Sequence, residues 1–128
     1  MATALLTTAG KTLLLVESNA GTRDGTAAIL RGEGYAVTPA PDGRESLALL
    51  RGGLRPDLVL LDMSALLSDG RRFAEQLREE GQRAAVPIVV VAASALGRDW
   101  AEAMGCAGFL SKPVERGALL GEIRRCLR

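Results

Sequence analysis

Two carboxylates and one lysine each follow a separate apolar segment of the chain, and together they could perform phosphoryl chemistry. These residues are Glu17, Asp62 and Lys112. If the three preceding segments are parallel strands, their carboxyl ends meet at the sheet edge where α/β proteins bind ligands. A carboxylate nucleophile, oxygen ligands for a divalent cation and an ammonium group beside the phosphoryl group make an aspartyl-phosphate site. The alternative is an ordinary ion pair at the rim of a sheet.

The elements that must position these residues are predicted from the spacing of apolar residues. Strands are predicted at 12–16, 35–39, 57–61, 86–91 and 108–110, and helices at 20–31, 44–51, 70–80, 98–104 and 115–127. The unbroken aliphatic run 58–61 is typical of a strand buried on both faces of a parallel sheet, whereas Pro39 indicates an edge strand. Alternating strands and helices with short connections predict an α/β fold, a doubly wound (βα)5 arrangement around a five-stranded parallel sheet.

Composition limits the kinds of function that the chain can have. Its 128 residues suit one domain, which we expect at 11–128 after a flexible leader at 1–10. With 16 basic and 15 acidic residues the net charge is +1, which provides no electrostatic footprint for nucleic acid. Histidine is absent, so imidazole ligands and histidine catalysis are excluded. No apolar run approaches the length of a membrane span, and Cys106 and Cys126 are interpreted as reduced thiols of a cytoplasmic protein.

In its motifs the chain resembles the receiver domain of bacterial two-component response regulators. The matching segments are LLVE (14–17), GYAV (34–37), PDLVLLD (56–62), DG (69–70), VPIVV (86–90) and FLSKP (109–113). The resemblance extends over nearly the whole chain and implies that the predicted fold is of the flavodoxin-like type. Because no glycine-rich phosphate loop follows the first predicted strand, a small flavodoxin-like redox or nucleotide-binding domain is disfavoured.

The resemblance implies a role for each residue of the predicted site. Asp62 would accept a phosphoryl group from a phosphohistidine of a histidine kinase or phosphotransfer protein, and Lys112 would contact that group. Mg²⁺ would bind between Glu17, Asp62 and the backbone carbonyl of Ser64. The Lys112–Pro113 peptide bond would be cis, which is affordable only before proline. The domain would therefore be a phosphoacceptor for signalling and not an enzyme.

The chain departs from the receiver pattern at positions that bear on metal binding and switching. Ser18 stands where the family has a second acid, so we expect Mg²⁺ to bind weakly. Ala92 replaces the hydroxyl residue that ends strand four, and Ser94 is a poor substitute for it. Leu66 replaces a proline in the loop after the acceptor, which leaves that loop less constrained. Phe109 matches the switch aromatic, although a core role for the ring is equally consistent with the pattern.

Partners are implied by the resemblance alone. An output protein or domain would use the fourth helix, the fifth strand and the last helix, a face that also allows a homodimer. Trp100, on the fourth predicted helix, is interpreted as packed against the sheet or as an anchor for such a partner. The chain is either a receiver that stands alone or one excised from a longer regulator or hybrid kinase. The alternative function is a pseudo-receiver, a protein–protein interaction module that does not depend on phosphorylation.

Overall fold

Five parallel strands form one sheet in the computed structural model, which describes residues 10–66, 75–76, 79 and 85–127. The strands within these residues are β1 (Thr12–Val16), β2 (Ala36–Ala40), β3 (Leu58–Asp62), β4 (Ile88–Ala92) and β5 (Gly108–Ser111). Their order in the sheet is β2-β1-β3-β4-β5. The chain reverses its direction of winding next to β1, so helices cover both faces, and the predicted doubly wound, flavodoxin-like fold is confirmed.

Four α-helices and a short 3-10 turn alternate with the strands or follow them within the described residues. They are α1 (Ala20–Gly32), α2 (Gly43–Arg51), the turn Met63–Leu66, α3 (Ala95–Ala103) and α4 (Arg116–Cys126). The helix predicted at 70–80 lies largely outside the described residues. Helix α3 begins at Ala95, three residues before its predicted start at 98. Its first turn includes Gly97. None of these helices is long and apolar enough to cross a membrane.

The central strand β3 has the double burial that its aliphatic sequence predicted. All five of its residues are buried. Leu58 and Leu60 face one apolar cluster together with residues of α1 and α4, and Val59 and Leu61 face a second cluster. Trp100 packs against this second cluster, which favours packing over partner binding among its two interpretations. Each fully buried aliphatic side chain contributes roughly 1.5–3 kcal/mol to stability.

A backbone and side-chain pair sets the alignment of β1 with β3. Asp57 accepts a hydrogen bond from the Thr12 N–H through its Oδ2 (2.7 Å), and its own N–H donates to the Thr12 carbonyl (2.7 Å). The resulting register places Val16 opposite Leu61. The residues that follow these two positions, Glu17 and Asp62, therefore lie side by side at the carboxyl edge of the sheet.

Side chains cover both edge strands of the sheet. β2 is an edge strand, as Pro39 predicted, and Arg31 donates from Nη2 to the carbonyl of Val37 (3.0 Å). At the opposite edge the Phe109 N–H donates to Glu122 Oε2 (3.2 Å). Arg125 Nη2 donates to the carbonyl of Ala107 (2.8 Å). Each of these bonds occupies a backbone group through which an edge strand could pair with another chain.

Candidate functional site

The carboxyl edge of the sheet brings together the three residues that the sequence singled out. Glu17 is 5% exposed and Asp62 is 4% exposed, which are low values for carboxylates. The Lys112 N–H donates to the carbonyl of Ala92 (3.0 Å), so the end of β5 is joined to the end of β4. The Lys112–Pro113 peptide bond is cis, as the resemblance implied. Ser64 lies in the 3-10 turn directly after β3.

Both oxygen atoms of Asp62 accept hydrogen bonds. Oδ1 accepts from the Ser64 N–H (2.8 Å) and from the Ser64 hydroxyl (2.6 Å). Oδ2 forms an ion pair with Lys112 Nζ (2.7 Å). Burial raises the pKa of Asp62, but the hydrogen bonds from Lys112 and Ser64 outweigh it, so this pKa lies below its ordinary value. Asp62 is therefore an ionised carboxylate at neutral pH.

Glu17 has the opposite electrostatic environment. Burial raises its pKa, and the hydrogen bond and negative charge of Asp62 raise it further. The Asn19 N–H donates to Glu17 Oε2 (3.0 Å) and offsets part of this effect. Asn19 also caps α1, since its Oδ1 accepts from the Thr22 N–H (2.9 Å). Two adjacent carboxyl groups share one ammonium group here, so two ionised carboxylates would be balanced by only one positive charge.

The donor atoms at this edge fit a hard divalent cation, with fewer charges than three carboxylates would provide. Glu17, Asp62 and the Ser64 carbonyl supply oxygen ligands of the kind that Mg²⁺ prefers. Among the described residues, no group of three or more acidic, histidine or cysteine side chains could hold a metal ion. Ser18 places its Oγ 3.4 Å from the Ser64 Oγ, on the side of the site where a third carboxylate would stand.

The predicted switch positions lie together, and a glycine that the sequence analysis missed lies between them. Ala92 is buried, and a Cβ atom on Gly97 would lie 2.3 Å from the Ala92 Cβ and 3.4 Å from Phe109 Cε2. The first turn of α3 therefore rests directly on the end of β4. Arg98 stacks over the half-buried Phe109 ring, with 4.9 Å between Cζ and the ring centroid. Ser94 is exposed and its side chain does not cap α3.

A cleft opens from the carboxylates and continues between α1 and α4. Its volume is about 650 Å³. Leu15, Leu60 and Val91 of the sheet form its floor, and Asp62 and Lys112 lie at one end. The cleft therefore leads to the end of the site where Asp62 and Lys112 lie.

Comparisons with known proteins agree with this arrangement. The sequence-family model of the response regulator receiver domain matches residues 13–124 of this chain. The transcriptional regulatory protein CseB of Streptomyces avermitilis is 32% identical over 118 residues, which cover 91% of this chain and 48% of CseB. Protein PilH of Pseudomonas aeruginosa is 28% identical over 117 residues, 90% of this chain and 96% of PilH. The solved structure of the chemotaxis protein CheY4 of Vibrio cholerae has a TM-score of 0.80 at 28% identity, with 91% of this chain and 98% of that chain covered. The chain thus spans about half the length of CseB and nearly all of PilH.

Proposed function

The chain belongs to the response regulator receiver domain family, and on that premise we propose that Asp62 accepts the phosphoryl group. Receiver domains are signalling domains that act with histidine kinases or phosphotransfer proteins and with output domains. The observation that carries the proposal is the environment of Asp62, a buried but ionised carboxylate paired with Lys112 Nζ at 2.7 Å. A nucleophile needs a free electron pair, and an ammonium group beside it neutralises the incoming phosphoryl oxygens.

In the proposed reaction, one Asp62 oxygen attacks the phosphorus of a phosphohistidine on the partner. The O–P bond forms as the P–N bond breaks, and the electron pair of the broken bond remains on the imidazole nitrogen. Lys112 follows β5 at the same edge of the sheet and can remain within reach of the transferred phosphoryl group, because its N–H is bonded to the carbonyl of Ala92 at the end of β4. Mg²⁺, when bound, would neutralise charge that develops on the phosphoryl oxygens. Glu17, Asp62 and the Ser64 carbonyl would hold it, with an affinity below that of a site with three carboxylates.

The experiment that tests the proposal is phosphoryl labelling with a small-molecule donor, with and without Mg²⁺. The wild-type chain should gain the mass of one phosphoryl group, and Asp62→Asn should gain none while keeping the same circular dichroism spectrum. Asp24→Asn is the matched control, because Asp24 is an exposed carboxylate on α1. Labelling that survives in Asp62→Asn would remove Asp62 from the acceptor role.

The finer assignments of partner and location belong to the same proposal. We infer that the domain occupies 11–128, is cytoplasmic, catalyses no reaction of its own and reaches an output partner or a second copy through α3, β5 and α4. The alternative, a module that acts without phosphorylation, is suggested by Ser18 and Ala92, which replace residues of the receiver pattern. It is not favoured, because the acceptor carboxylate and its lysine partner are both in place.

A further inference from the structure

We propose that the hydroxyl groups of Ser18 and Ser64 form a hydrogen-bonded relay that holds Asp62 where receivers use a metal ion, and that Ser64 is thereby a positioning residue that opposes Mg²⁺ binding. The proposal deepens the proposed function, since it concerns the carboxylate assigned there as the acceptor. It assigns a role to two side chains for which the sequence indicated only a lost carboxylate and a backbone ligand.

The direction of the relay follows from the number of protons available. Ionised Asp62 can only accept hydrogen bonds, so the single hydroxyl proton of Ser64 points to Oδ1 at 2.6 Å. The contact of 3.4 Å between the two hydroxyl oxygens must then use the proton of Ser18. Ser18 therefore donates to Ser64, and Ser64 donates to Asp62. The first bond is long and weak, and the second is short and charge-assisted.

The relay joins the same two loops that a shared cation would join. Ser18 follows β1 and Ser64 follows β3, at positions 46 residues apart. The loop after β1 is also held from α1, because Arg23 Nη1 donates to the carbonyl of Glu17 (2.9 Å) and approaches that of Ser18 (3.4 Å). The acceptor carboxylate is consequently fixed by the protein's own donors in the absence of metal.

Ser64 therefore acts on a cation in two opposed ways. Its backbone carbonyl is a predicted ligand, but its hydroxyl and its N–H both occupy Asp62 Oδ1. A cation that binds Oδ1 has to displace the hydroxyl proton, because a carboxylate oxygen has only two lone pairs to offer. Replacing Ser64 by alanine removes the competing hydroxyl and keeps the carbonyl, so Mg²⁺ should bind more tightly in that variant.

The test is a calorimetric Mg²⁺ titration of the full chain without any phosphodonor. S64A should lower the Mg²⁺ dissociation constant by about tenfold, which corresponds to the lower end of the range for a hydrogen bond to a charged group. S64T keeps a hydroxyl group and should match the wild type. S18A should lower the constant by only about twofold, because the bond that it removes is the weaker one. S94A is the control for loss of an exposed serine hydroxyl and should change nothing.

A double-variant cycle separates the relay from two independent effects. Since Ser18 acts through Ser64, the S18A/S64A variant should bind Mg²⁺ as S64A does, so the two changes should not add.

As a second readout, saturating Mg²⁺ should raise the unfolding temperature of S64A more than that of the wild type. Three results would each overturn the proposal: unchanged or weaker Mg²⁺ binding in S64A, additive effects in the cycle, or no binding by either protein up to tens of millimolar, roughly tenfold above the weak end of protein cation sites. Because no phosphodonor is present, failure here is distinct from failure of Asp62 to be labelled.

Discussion

At the scale of single residues, the site is defined by a charge imbalance. Glu17 and Asp62 are neighbours with Lys112 as their shared cation, and the two carboxyl groups respond differently. The pKa of Asp62 is lowered because, although burial raises it, hydrogen bonds from Lys112 and Ser64 prevail. The pKa of Glu17 is raised by burial and by Asp62. One residue, Ser18, determines whether a third negative charge completes this site for a divalent cation.

Ser18→Asp should therefore tighten Mg²⁺ binding by about tenfold or more, since affinity follows the number of charged ligands. It should also lower stability in metal-free buffer, because three carboxylates would be crowded together. Calorimetry gives the first quantity and thermal unfolding with a chelator gives the second. Ser18→Asn, which adds a side chain of similar size without charge, is the matched control. If the wild type already binds Mg²⁺ as tightly as Ser18→Asp, the prediction of a weak site is wrong.

At the scale of elements, the contact between α3 and β4 governs what phosphorylation can move. Ala92 has no donor for a phosphoryl oxygen, and Gly97 fills the space above its methyl group. The substitution at 92 and the glycine at 97 thus fit each other, and α3 can rest on the sheet only because both are small. Arg98 then covers Phe109 from the outer side.

Gly97→Ala should lower the free energy of unfolding by about 1–3 kcal/mol, the usual cost of overpacking, because its Cβ would overlap that of Ala92. The same substitution at Gly25 in α1 is the control. A Cβ there meets nothing within 4 Å, so Gly25→Ala should raise stability by about 0.5–1 kcal/mol through helix propensity. Urea unfolding of both variants measures these values. A neutral or stabilising Gly97→Ala would show that α3 does not rest on Ala92 as described.

A phosphoryl mimic on Asp62 should leave α3 and β5 nearly unchanged. A ligand shifts a conformational equilibrium only by its differential interaction with the two states, and Ala92 offers no such interaction. Amide chemical shifts with and without the mimic measure this. Ser64 and Lys112 should shift because they contact Asp62, and they serve as the positive control. Large changes that extend from Ala92 through Phe109 to α4 would contradict the prediction.

At the scale of the whole molecule, side chains cover the edges of the sheet, and buried acids make the stability depend on pH. The edge strand β5 is covered by Glu122 and Arg125. A Cβ atom on Gly108 would lie 2.9 Å from Glu122 Oε2, so a larger residue there would displace this side chain. A partner that binds this face therefore meets the side chains of Glu122 and Arg125, and the Phe109 N–H is already bonded to Glu122. The hydrogen bond from Arg125 holds the pKa of Glu122 below its ordinary value.

Stability should pass through a maximum in mildly acidic, metal-free buffer. The folded pKa of Glu17 lies above its ordinary value of 4.5, so the folded state binds more protons and stability rises as the pH falls through that folded pKa. The folded pKa of Asp62 lies below its ordinary value of 3.8, so stability is lost as the pH falls from 3.8 through the folded pKa. Thermal unfolding across this range measures both limbs.

Glu17→Gln should abolish the rise on the neutral side of that maximum and leave the acid limb in place. The same substitution at the exposed Glu102 of α3 should leave both limbs in place. A wild-type stability that does not rise at all between neutral pH and pH 4.5, the ordinary pKa of a glutamate, would show that the pKa of Glu17 is not raised in the folded state.

The sequence by itself determined the order of elements and the convergence of the site. Alternating apolar and turn segments fix which strands are parallel, and parallel strands end at one edge, so Glu17, Asp62 and Lys112 had to meet. Pro39 indicated the edge strand for a local reason, the missing N–H. These inferences depend on periodicity and chain direction, both of which can be read from neighbouring residues.

The tertiary structure alone decided which atoms touch within that frame. Three contacts depend on atomic positions that are set to within a few tenths of an ångström. They are the hydrogen bond from the Ser64 hydroxyl to Asp62, the contact of Gly97 with Ala92 and the bond of Glu122 to β5. Such distances result from how close-packed helices settle on the sheet, and close packing is a property of the whole core. The residue types permit these contacts, but only the packed chain brings the atoms within reach of one another.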